Sequence, residues 1–185
     1  MPSNPLHELR VNARELMRVP GSTRSIDAAV DAADLGIRDE RLAGTVAVDL
    51  TAVSTLDGVT VTGRVTFPWS TVCRRCLTTV VGPAAVDVDE LYQERALDPE
   101  AFAIEGDQID LAPAVREYVL IELPDGPLCR DDCAGICPVC GTDRNMSSCD
   151  CDSSVRDERW AALDDLRLDD PPAVGTSPDD APAPE

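Results

Sequence analysis

Two stretches of the chain alternate apolar and polar residues with a period of two. In TVAVDL (45–50) and VTVTGRVTF (59–67), most alternate positions hold valine, leucine or phenylalanine, with threonine or charged residues between them. This period is typical of strands with one buried face. Asp57-Gly58, between the two stretches, tolerates the positive φ of a tight hairpin turn. The pattern predicts an antiparallel hairpin.

The alternation resumes in LTTVV (77–81) and VDVDELY (86–92). In the second stretch we expect Val86, Val88 and Leu91 to face the core. The segment CRRC (73–76) would then lie at the turn between two more antiparallel strands. The sequence therefore predicts a small antiparallel sheet of three or four strands.

A helix is predicted within IDLAPAVREYVLIELP (109–124). Leu111, Val115 and then Tyr118 or Val119 are near helical spacing. Asp110 is a candidate N-cap, and Pro124 ends the helix.

Further along, SVRDERWAALDDLRL (154–168) predicts a C-terminal helix that packs on the domain. Its apolar stripe consists of Val155, Trp160, Leu163 and Leu166. The region from Leu6 to Ile37 has a mixed pattern that fits either helix or strand. Residues 169–185 are acidic and rich in proline, which is typical of disorder.

These elements predict an α+β fold. It consists of a small antiparallel sheet, one or two packing helices, and a segment at 128–151 in which six of the eight cysteines lie close enough together to clamp it with zinc. Residues 1–168 form a single domain in this interpretation, and 169–185 form a disordered tail. A chain of 185 residues is long enough for one such domain with appendages.

The net negative charge of the chain limits which partners it can bind. The formal net charge is -19, which repels nucleic-acid phosphates at long range, so direct RNA contact requires a local cationic patch. The chain has no apolar run of membrane-spanning length and does not begin like a secretory signal. We therefore expect a cytoplasmic protein.

The eight cysteines predict metal binding. Cytosolic thiols are kept reduced, and closely spaced cysteine pairs in that compartment are more often metal ligands than disulfides. A lone C-x-x-C could instead be a redox dithiol, but such dithiols usually belong to a βαβ pattern, which this sequence lacks.

The cysteines can be divided into two sites in two ways. We prefer one site of Cys73, Cys76, Cys129 and Cys133 and a second of Cys137, Cys140, Cys149 and Cys151. In the alternative, Cys129, Cys133, Cys137 and Cys140 form a local site, and Cys73 and Cys76 meet Cys149 and Cys151. Either division fills two tetrahedral zinc sites without His7, the single histidine.

Four arginines lie within or beside the ligand segments: Arg74, Arg75, Arg130 and Arg144. They could offset the negative charge of four thiolates around a divalent ion. They are also the candidate residues for contact with RNA or protein.

The sequence does not predict an enzyme. Four sulfur ligands leave no open coordination position for a substrate, so the predicted sites are structural. The chain also lacks a glycine-rich phosphate loop and a G-x-S-x-G elbow. We expect no small-molecule substrate and no membrane partner.

With these motifs in order, the chain resembles the bacterial and plastid YceD family of large ribosomal RNA subunit accumulation proteins. The resemblance spans roughly Leu6 to Leu166, and its most specific parts are C-R-R-C-L, I-D-L, E-L-P and C-x-G-x-C-P-x-C-G-x-x-x-N. The family's cysteine motifs fall on Cys73, Cys76, Cys129, Cys133, Cys137 and Cys140, and its N…C-x-C ending falls on Asn145, Cys149 and Cys151.

The resemblance implies a non-enzymatic role in the synthesis, processing or accumulation of large-subunit ribosomal RNA. The acidic charge favours a basic ribosomal protein or an assembly factor as first partner, with large-subunit rRNA as another candidate contact. The alternative interpretation is a redox- or zinc-responsive thiol protein. A nuclease or RNA-modifying enzyme would need a site that the sequence does not display.

Overall fold

The computed structural model describes residues 5–42, 44–95, 101–152 and 158–165. The strands are β1 (Arg10–Asn12), β2 (Thr23–Asp31), β3 (Thr45–Ser54), β4 (Val59–Val72), β5 (Thr79–Gln93), β6 (Phe102–Ala103) and β7 (Gln108–Asp110). The α-helices are α1 (Ala13–Leu16) and α2 (Ala112–Glu122), and 3₁₀ helices span Pro5–Leu9 and Glu158–Asp165. The α+β class is as predicted.

The main sheet has five strands in the order β2-β3-β4-β5-β6, and β1 pairs with β7 in a separate two-stranded sheet. The predicted hairpin is present as β3 and β4, which pair antiparallel around the Asp57-Gly58 turn. The predicted number of strands, three or four, was too small. β6 pairs parallel to β5, so the sheet is not wholly antiparallel.

Strand β2 was not recognised in the sequence. Its buried positions are Ile26, Ala28 and Val30, and its other positions are exposed. One position on each face is an alanine, Ala28 on the buried face and Ala29 on the exposed face. Alanine is depleted in strands, so the local signal for β2 is weak. Its pairing with β3 along its whole length, from Thr23↔Val53 to Asp31↔Thr45, supplies the missing information.

β4 and β5 form the longest pairing, from Val59↔Tyr92 to Val72↔Thr79. β3 pairs with β4 only as far as Thr66, so the hairpin continues beyond β3 with its two strands alone. Residues 73–78 close this hairpin. The prediction that CRRC lies at a turn between antiparallel strands is confirmed.

The core lies on one face of the sheet. Val88 is 3% exposed, as expected, and Val86 is half-buried. The expectation for Leu91 was wrong, because the alternation runs without interruption from Ala84 through Val88 to Tyr92, which is 1% exposed. Leu91 therefore points to the opposite face.

Helix α2 packs against β4 and β5. It buries Val115 and Val119, with Leu111 and Leu123 at its two ends, and Pro124 follows as predicted. Asp110 is not the residue at the N-cap position, which is Leu111. It acts one residue earlier, where its Oδ1 accepts a hydrogen bond from the Ala112 N–H at 3.0 Å.

The predicted C-terminal helix differs from the structure. Its described part, Glu158–Asp165, is a 3₁₀ helix. Trp160 is 63% exposed and Leu163 51% exposed, so these two side chains do not pack into the core as expected. Val155, Leu166 and the acidic tail at 169–185 lie outside the described residues, and the proposed domain boundary stays a prediction. None of the helices in the described ranges is long and apolar enough to cross a membrane.

Candidate metal centres

The structure gathers the eight cysteines into two groups of four. Cys73, Cys76, Cys129 and Cys133 form the first centre, and Cys137, Cys140, Cys149 and Cys151 form the second. Within each centre all sulfur atoms lie within 4.8 Å of one another. This is the preferred of the two divisions drawn from the sequence. That the sulfurs are metal ligands stays a prediction.

The first centre joins two distant parts of the chain. Cys73 and Cys76 lie in the turn that closes the β4–β5 hairpin, and Cys129 and Cys133 lie in the segment that follows α2. The Arg74 N–H donates to the Pro127 carbonyl at 3.2 Å, which holds that segment beside the turn. Cys73 is fully buried and Cys133 is 2% exposed.

The sulfur distances fit a tetrahedral metal ion. Cys73 Sγ lies 3.8 Å from Cys133 Sγ, and Cys76 Sγ lies 3.5 Å from Cys129 Sγ. With metal–sulfur bonds of about 2.3 Å, a tetrahedron has sulfur–sulfur edges of about 3.8 Å. All eight cysteines are free of disulfide bonds. Four thiolates are a donor set that suits zinc or iron.

The second centre is local in sequence. Cys137 is 1% exposed, Cys149 and Cys151 are half-buried, and Cys140 is exposed. An isolated bridge between Ile136 and Asp143 closes the loop that carries Cys137 and Cys140. Cys149 and Cys151 then come from the C-x-C segment further along the chain.

The same turn is built twice, once in each centre. The Cys73 N–H donates to the Thr78 carbonyl at 2.8 Å, and the Cys137 N–H donates to the Thr142 carbonyl at 2.8 Å. The Thr78 hydroxyl lies 3.3 Å from Cys76 Sγ, and the Thr142 hydroxyl lies 3.1 Å from Cys140 Sγ. The sequence C-x-x-C-x-T is therefore the repeated unit.

The fifth residue of each turn adopts a positive φ. This residue is Gly141 in the second turn, with φ +74°, and Leu77 in the first, with φ +62°. Glycine adopts this conformation readily, whereas a leucine does so at a cost. The Gly141 N–H donates to the Cys137 carbonyl at 2.9 Å, as the Leu77 N–H does to the Cys73 carbonyl at 3.0 Å.

Backbone N–H groups favour the thiolate at the first cysteine of the first turn. The N–H of Cys76, and then that of Arg75, lower the pKa of Cys73 to about 6. The Thr78 hydroxyl is the main cause that lowers the pKa of Cys76. By contrast, hydrogen bonding with Cys76 raises the pKa of Cys129 to about 12.

The second turn shows the same division. The N–H groups of Cys140 and then Val139 lower the pKa of Cys137 to about 6, and the Thr142 hydroxyl lowers the pKa of Cys140. Hydrogen bonding with Cys140 raises the pKa of Cys151 to about 12. Four adjacent sulfurs do not all ionise together unless a cation compensates the charge, and metal binding displaces the remaining protons.

Asn145 connects the two centres. Its Oδ1 accepts from the Ala134 N–H and from Arg130 Nη2, both at 2.8 Å. Its Nδ2 donates to Cys133 Sγ at 3.5 Å and to Asp143 Oδ1 at 2.7 Å. One side chain from the loop of the second centre thus contacts a sulfur of the first.

Gly135 brings the two loops into close contact. It has φ +72°, and a Cβ at this position would lie 3.1 Å from the Arg75 carbonyl oxygen. The neighbouring Ile136 N–H donates to that same oxygen at 3.0 Å. A larger residue at 135 would separate the first turn from the second loop.

Three of the four predicted arginines contact the loops around the centres through their side chains. Arg75 Nη1 donates to the Cys133 carbonyl at 2.9 Å. Arg130 pairs with Asp132 at 3.2 Å in addition to contacting Asn145. A hydrogen bond to the Cys137 sulfur raises the pKa of Arg144. Arg74 is exposed. Their role in binding RNA or protein stays a prediction.

Sequence reasoning missed Thr78 and Thr142. Their signal was present, since threonine stands two residues after the second cysteine of both C-x-x-C pairs. Asn145 entered only through the family resemblance, because nothing in its local sequence indicates a contact with Cys133.

A family model described as "Large ribosomal RNA subunit accumulation protein YceD" matches residues 61–167. This is more than half of the chain and includes all eight cysteines. The chain belongs to the YceD family. The family match begins at residue 61, within β4, whereas the resemblance drawn from the sequence began at Leu6.

Among similar proteins, an uncharacterized protein of Mycobacterium tuberculosis (strain H37Rv) is 35% identical over 123 residues, which is 63% of this chain and 59% of that protein. An uncharacterized protein of Mycobacterium leprae is 34% identical over 133 residues, 68% of this chain and 60% of that protein. The match therefore spans about three-fifths of the length of these relatives.

A chloroplastic protein of Arabidopsis thaliana named Large ribosomal RNA subunit accumulation protein YCED homolog 1 is 32% identical over 66 residues. The match covers 36% of this chain and 21% of that protein. No solved structure shows a significant match.

Proposed function

We propose that this chain is a non-enzymatic factor that supports the synthesis, processing or accumulation of large-subunit ribosomal RNA. We further propose that two structural zinc ions, one in each centre, hold its cysteine-rich segment to the end of the sheet. In this proposal the protein functions in the cytoplasm.

One observation carries the proposal. The region that matches the family, residues 61–167, contains both four-cysteine centres. Four sulfur ligands fill a tetrahedral zinc site and leave no position for a substrate. The centres therefore support a structural role for the metal and a function exercised through binding.

The net charge of -19 favours a basic protein as the first partner. Basic ribosomal proteins and their assembly factors would be steered toward an acidic surface, with association that weakens as salt rises. Affinity purification with and without nuclease tests this point. A ribosomal protein retained after nuclease treatment supports it, whereas partners that disappear with the RNA contradict it.

Depletion of the protein in its native host tests the function directly. We expect the ratio of large-subunit to small-subunit rRNA to fall, and precursors of the large-subunit rRNA to accumulate. The wild-type gene should restore the ratio, and a Cys73→Ser, Cys76→Ser variant should not. An unchanged ratio after full depletion would contradict the proposal.

A second candidate function is a redox- or zinc-responsive thiol protein. The observation that favours it is the exposure of one cysteine in each centre, Cys129 and Cys140, which gives oxidants access to the sulfur. Mild peroxide treatment of the reduced, metal-loaded protein separates the two functions. Release of metal followed by recovery on reduction supports the second function, and retention of metal supports the first.

A further inference from the structure

Two cavities lie along the β1–β7 pair, away from the cysteine centres. Their volumes are about 670 Å³ and about 470 Å³, within the usual range of roughly 300–1,000 Å³ for small-ligand sites. Arg10 of β1 and Gln108 of β7 line both cavities. We call the two cavities together the ribbon groove.

The first cavity is the cationic end of the ribbon groove. Arg24 continues the alternation of the buried residues Ile26 and Ala28 in β2, so its position faces the core side of the sheet, yet it is exposed. It lines the cavity together with His7, Arg10 and one carboxylate, Glu15. Within the described residues, Arg24 forms no ion pair.

Arg10 is held only weakly by a neighbour. Its Nη2 lies 3.7 Å from Asp110 Oδ2, and both side chains are about half exposed. Exposed pairs of this length contribute little, so the Arg10 guanidinium can turn to a ligand. Two guanidinium groups at one cavity are suited to the oxygens of a phosphate, which they bind through charge-assisted hydrogen bonds.

The second cavity is the aromatic end. Phe102 and Tyr92 both line it, and their rings stack with centroids 5.3 Å apart and planes at 24°. Phe102 is half-buried, so part of its ring is available for stacking. Tyr92 is 1% exposed, and its buried hydroxyl has no hydrogen-bond partner in the part of the chain that the structure describes.

The Tyr92 hydroxyl is closed off from this cavity, because less than 1 Å² of that oxygen is accessible. Phe102 is therefore the ring that a ligand in the cavity can contact. Glu105 also lines this cavity, and its carboxylate can accept a hydrogen bond from an amino group. An aromatic ring beside hydrogen-bonding side chains is suited to a nucleobase.

We propose that the ribbon groove binds one nucleotide unit, with the phosphate at Arg24 and Arg10 and the base at Phe102. Arg10 and Gln108, which line both cavities, would then contact the sugar that joins the two groups. The inference rests on the proposed function in one respect, namely that an RNA strand is the expected source of the nucleotide. A free nucleotide presents the same phosphate and base.

The groove also reconciles the acidic chain with contact to RNA. Charges separated by more than about 8 Å are largely screened at physiological salt. The net charge therefore affects approach, while the arginines of the groove act at hydrogen-bonding distance. The local cationic patch is confined to the first cavity, where Arg10 and Arg24 outnumber Glu15, because Glu105 and Asp110 line the second.

Fluorescence anisotropy with the full, metal-loaded chain tests the groove. The probes are a short labelled single-stranded RNA and labelled AMP. We expect Arg24→Gln and Phe102→Leu each to weaken binding about tenfold, the effect of losing one charge-assisted hydrogen bond or one stacking contact. Phe102→Tyr, which keeps a stacking ring, should bind as the wild type does.

Arg38→Gln is the matched control. Arg38 is exposed and lies outside the lining of the groove, and its replacement changes the net charge by the same amount. Equal effects of Arg24→Gln and Arg38→Gln would overturn the proposal, as would failure of both probes to bind at low salt. If Arg24→Gln lowers the melting temperature, Arg10→Gln serves as the second variant at the same cavity, with the same expected loss of binding.

The two probes distinguish the sources of the ligand. If RNA binds and AMP does not, the ligand of the groove is an RNA strand. If AMP displaces RNA and both depend on Arg24 and Phe102, the groove also binds a free nucleotide. Measurement of rRNA in cells that carry Arg24→Gln separates this inference from the proposed function. If Arg24→Gln abolishes binding in vitro but leaves rRNA levels normal, the groove is a binding site that has no role in rRNA accumulation.

Discussion

Asn145 is the side chain that links the two cysteine centres most directly. It makes four hydrogen bonds, two through each end of its amide, and one of them reaches Cys133 Sγ. An alanine at this position would leave the Ala134 N–H and the Cys133 sulfur without these partners. Asn145 and Cys133 are twelve residues apart in the sequence but in contact in the folded chain. No local sequence pattern therefore indicates the contact.

We expect Asn145→Ala to lower the free energy of unfolding by about 1–3 kcal/mol, the usual effect of leaving partly buried polar groups without partners. Chemical denaturation of the metal-loaded protein measures the change. Met146→Ala is the control, because the neighbouring Met146 is 84% exposed and should have almost no effect. Equal effects of the two substitutions would show that Asn145 does not join the centres.

Leu77 provides a prediction of the opposite sign. It is 58% exposed and adopts φ +62°, so it gives up little packing and occupies a strained backbone region. Leu77→Gly should therefore raise the free energy of unfolding by about 1 kcal/mol. The expected gain is small because glycine also increases the conformational freedom of the unfolded chain.

Gly141 is the matched position for Leu77 in the second turn. A Cβ there would meet nothing within 4 Å, so Gly141→Ala tests the backbone conformation without a clash. It should destabilise the protein by about 1 kcal/mol. If Leu77→Gly also destabilises, the leucine makes a stabilising contact that outweighs its strain.

At the scale of elements, the hairpin and α2 could be predicted because their residues carry periodic patterns of adequate length. Strand β2 could not, since its alternation relies on alanine and becomes clear only beside β3. Leu91 was assigned to the wrong face because leucine outranks tyrosine in hydrophobicity. The uninterrupted register of β5 decides in favour of Tyr92.

The two tryptophans test how the C-terminal 3₁₀ helix relates to the core. Trp160 is 63% exposed, whereas Trp69 is partly buried and packs against the core. Trp160→Ala should change the free energy of unfolding by less than about 0.5 kcal/mol, and Trp69→Ala should lower it by at least about 1 kcal/mol. Thermal or denaturant unfolding of both variants gives the comparison.

A large loss of stability in Trp160→Ala would show that Trp160 packs on the domain, as the sequence predicts. In that case the boundary of the domain would lie near residue 168, as first predicted. A negligible loss would place Trp160 outside the stabilising core, and would leave its ring available for contacts with a partner.

At the scale of the whole molecule, two groups of four cysteines were predictable because two tetrahedral sites require eight ligands, but both divisions satisfied that count and only the folded chain decides between them. The geometry that joins the sites was not predictable, because Asn145, Gly135 and Arg75 act across distances that no local pattern encodes. The ribbon groove is of the same kind. It brings together residues from β1, β2, β6 and β7 that share no motif.

The two centres lie between different parts of the molecule. With a metal ion bound, the first would fix the segment after α2 to the tip of the β4–β5 hairpin, and the second would close a loop within the segment itself. Loss of the first centre should therefore affect global stability more than loss of the second. Metal-linked stabilisation of this type disappears on chelation, because the unfolded chain lacks the assembled site.

The most direct test of the account is a count of metal ions per chain by elemental analysis of protein purified under reducing conditions. We predict two zinc ions in the wild type. The pair Cys73→Ser, Cys76→Ser should retain only the ion of the second centre, and the pair Cys137→Ser, Cys140→Ser only that of the first. A wild-type protein that is folded without metal, or a single pair of substitutions that removes both ions, would contradict two independent zinc centres.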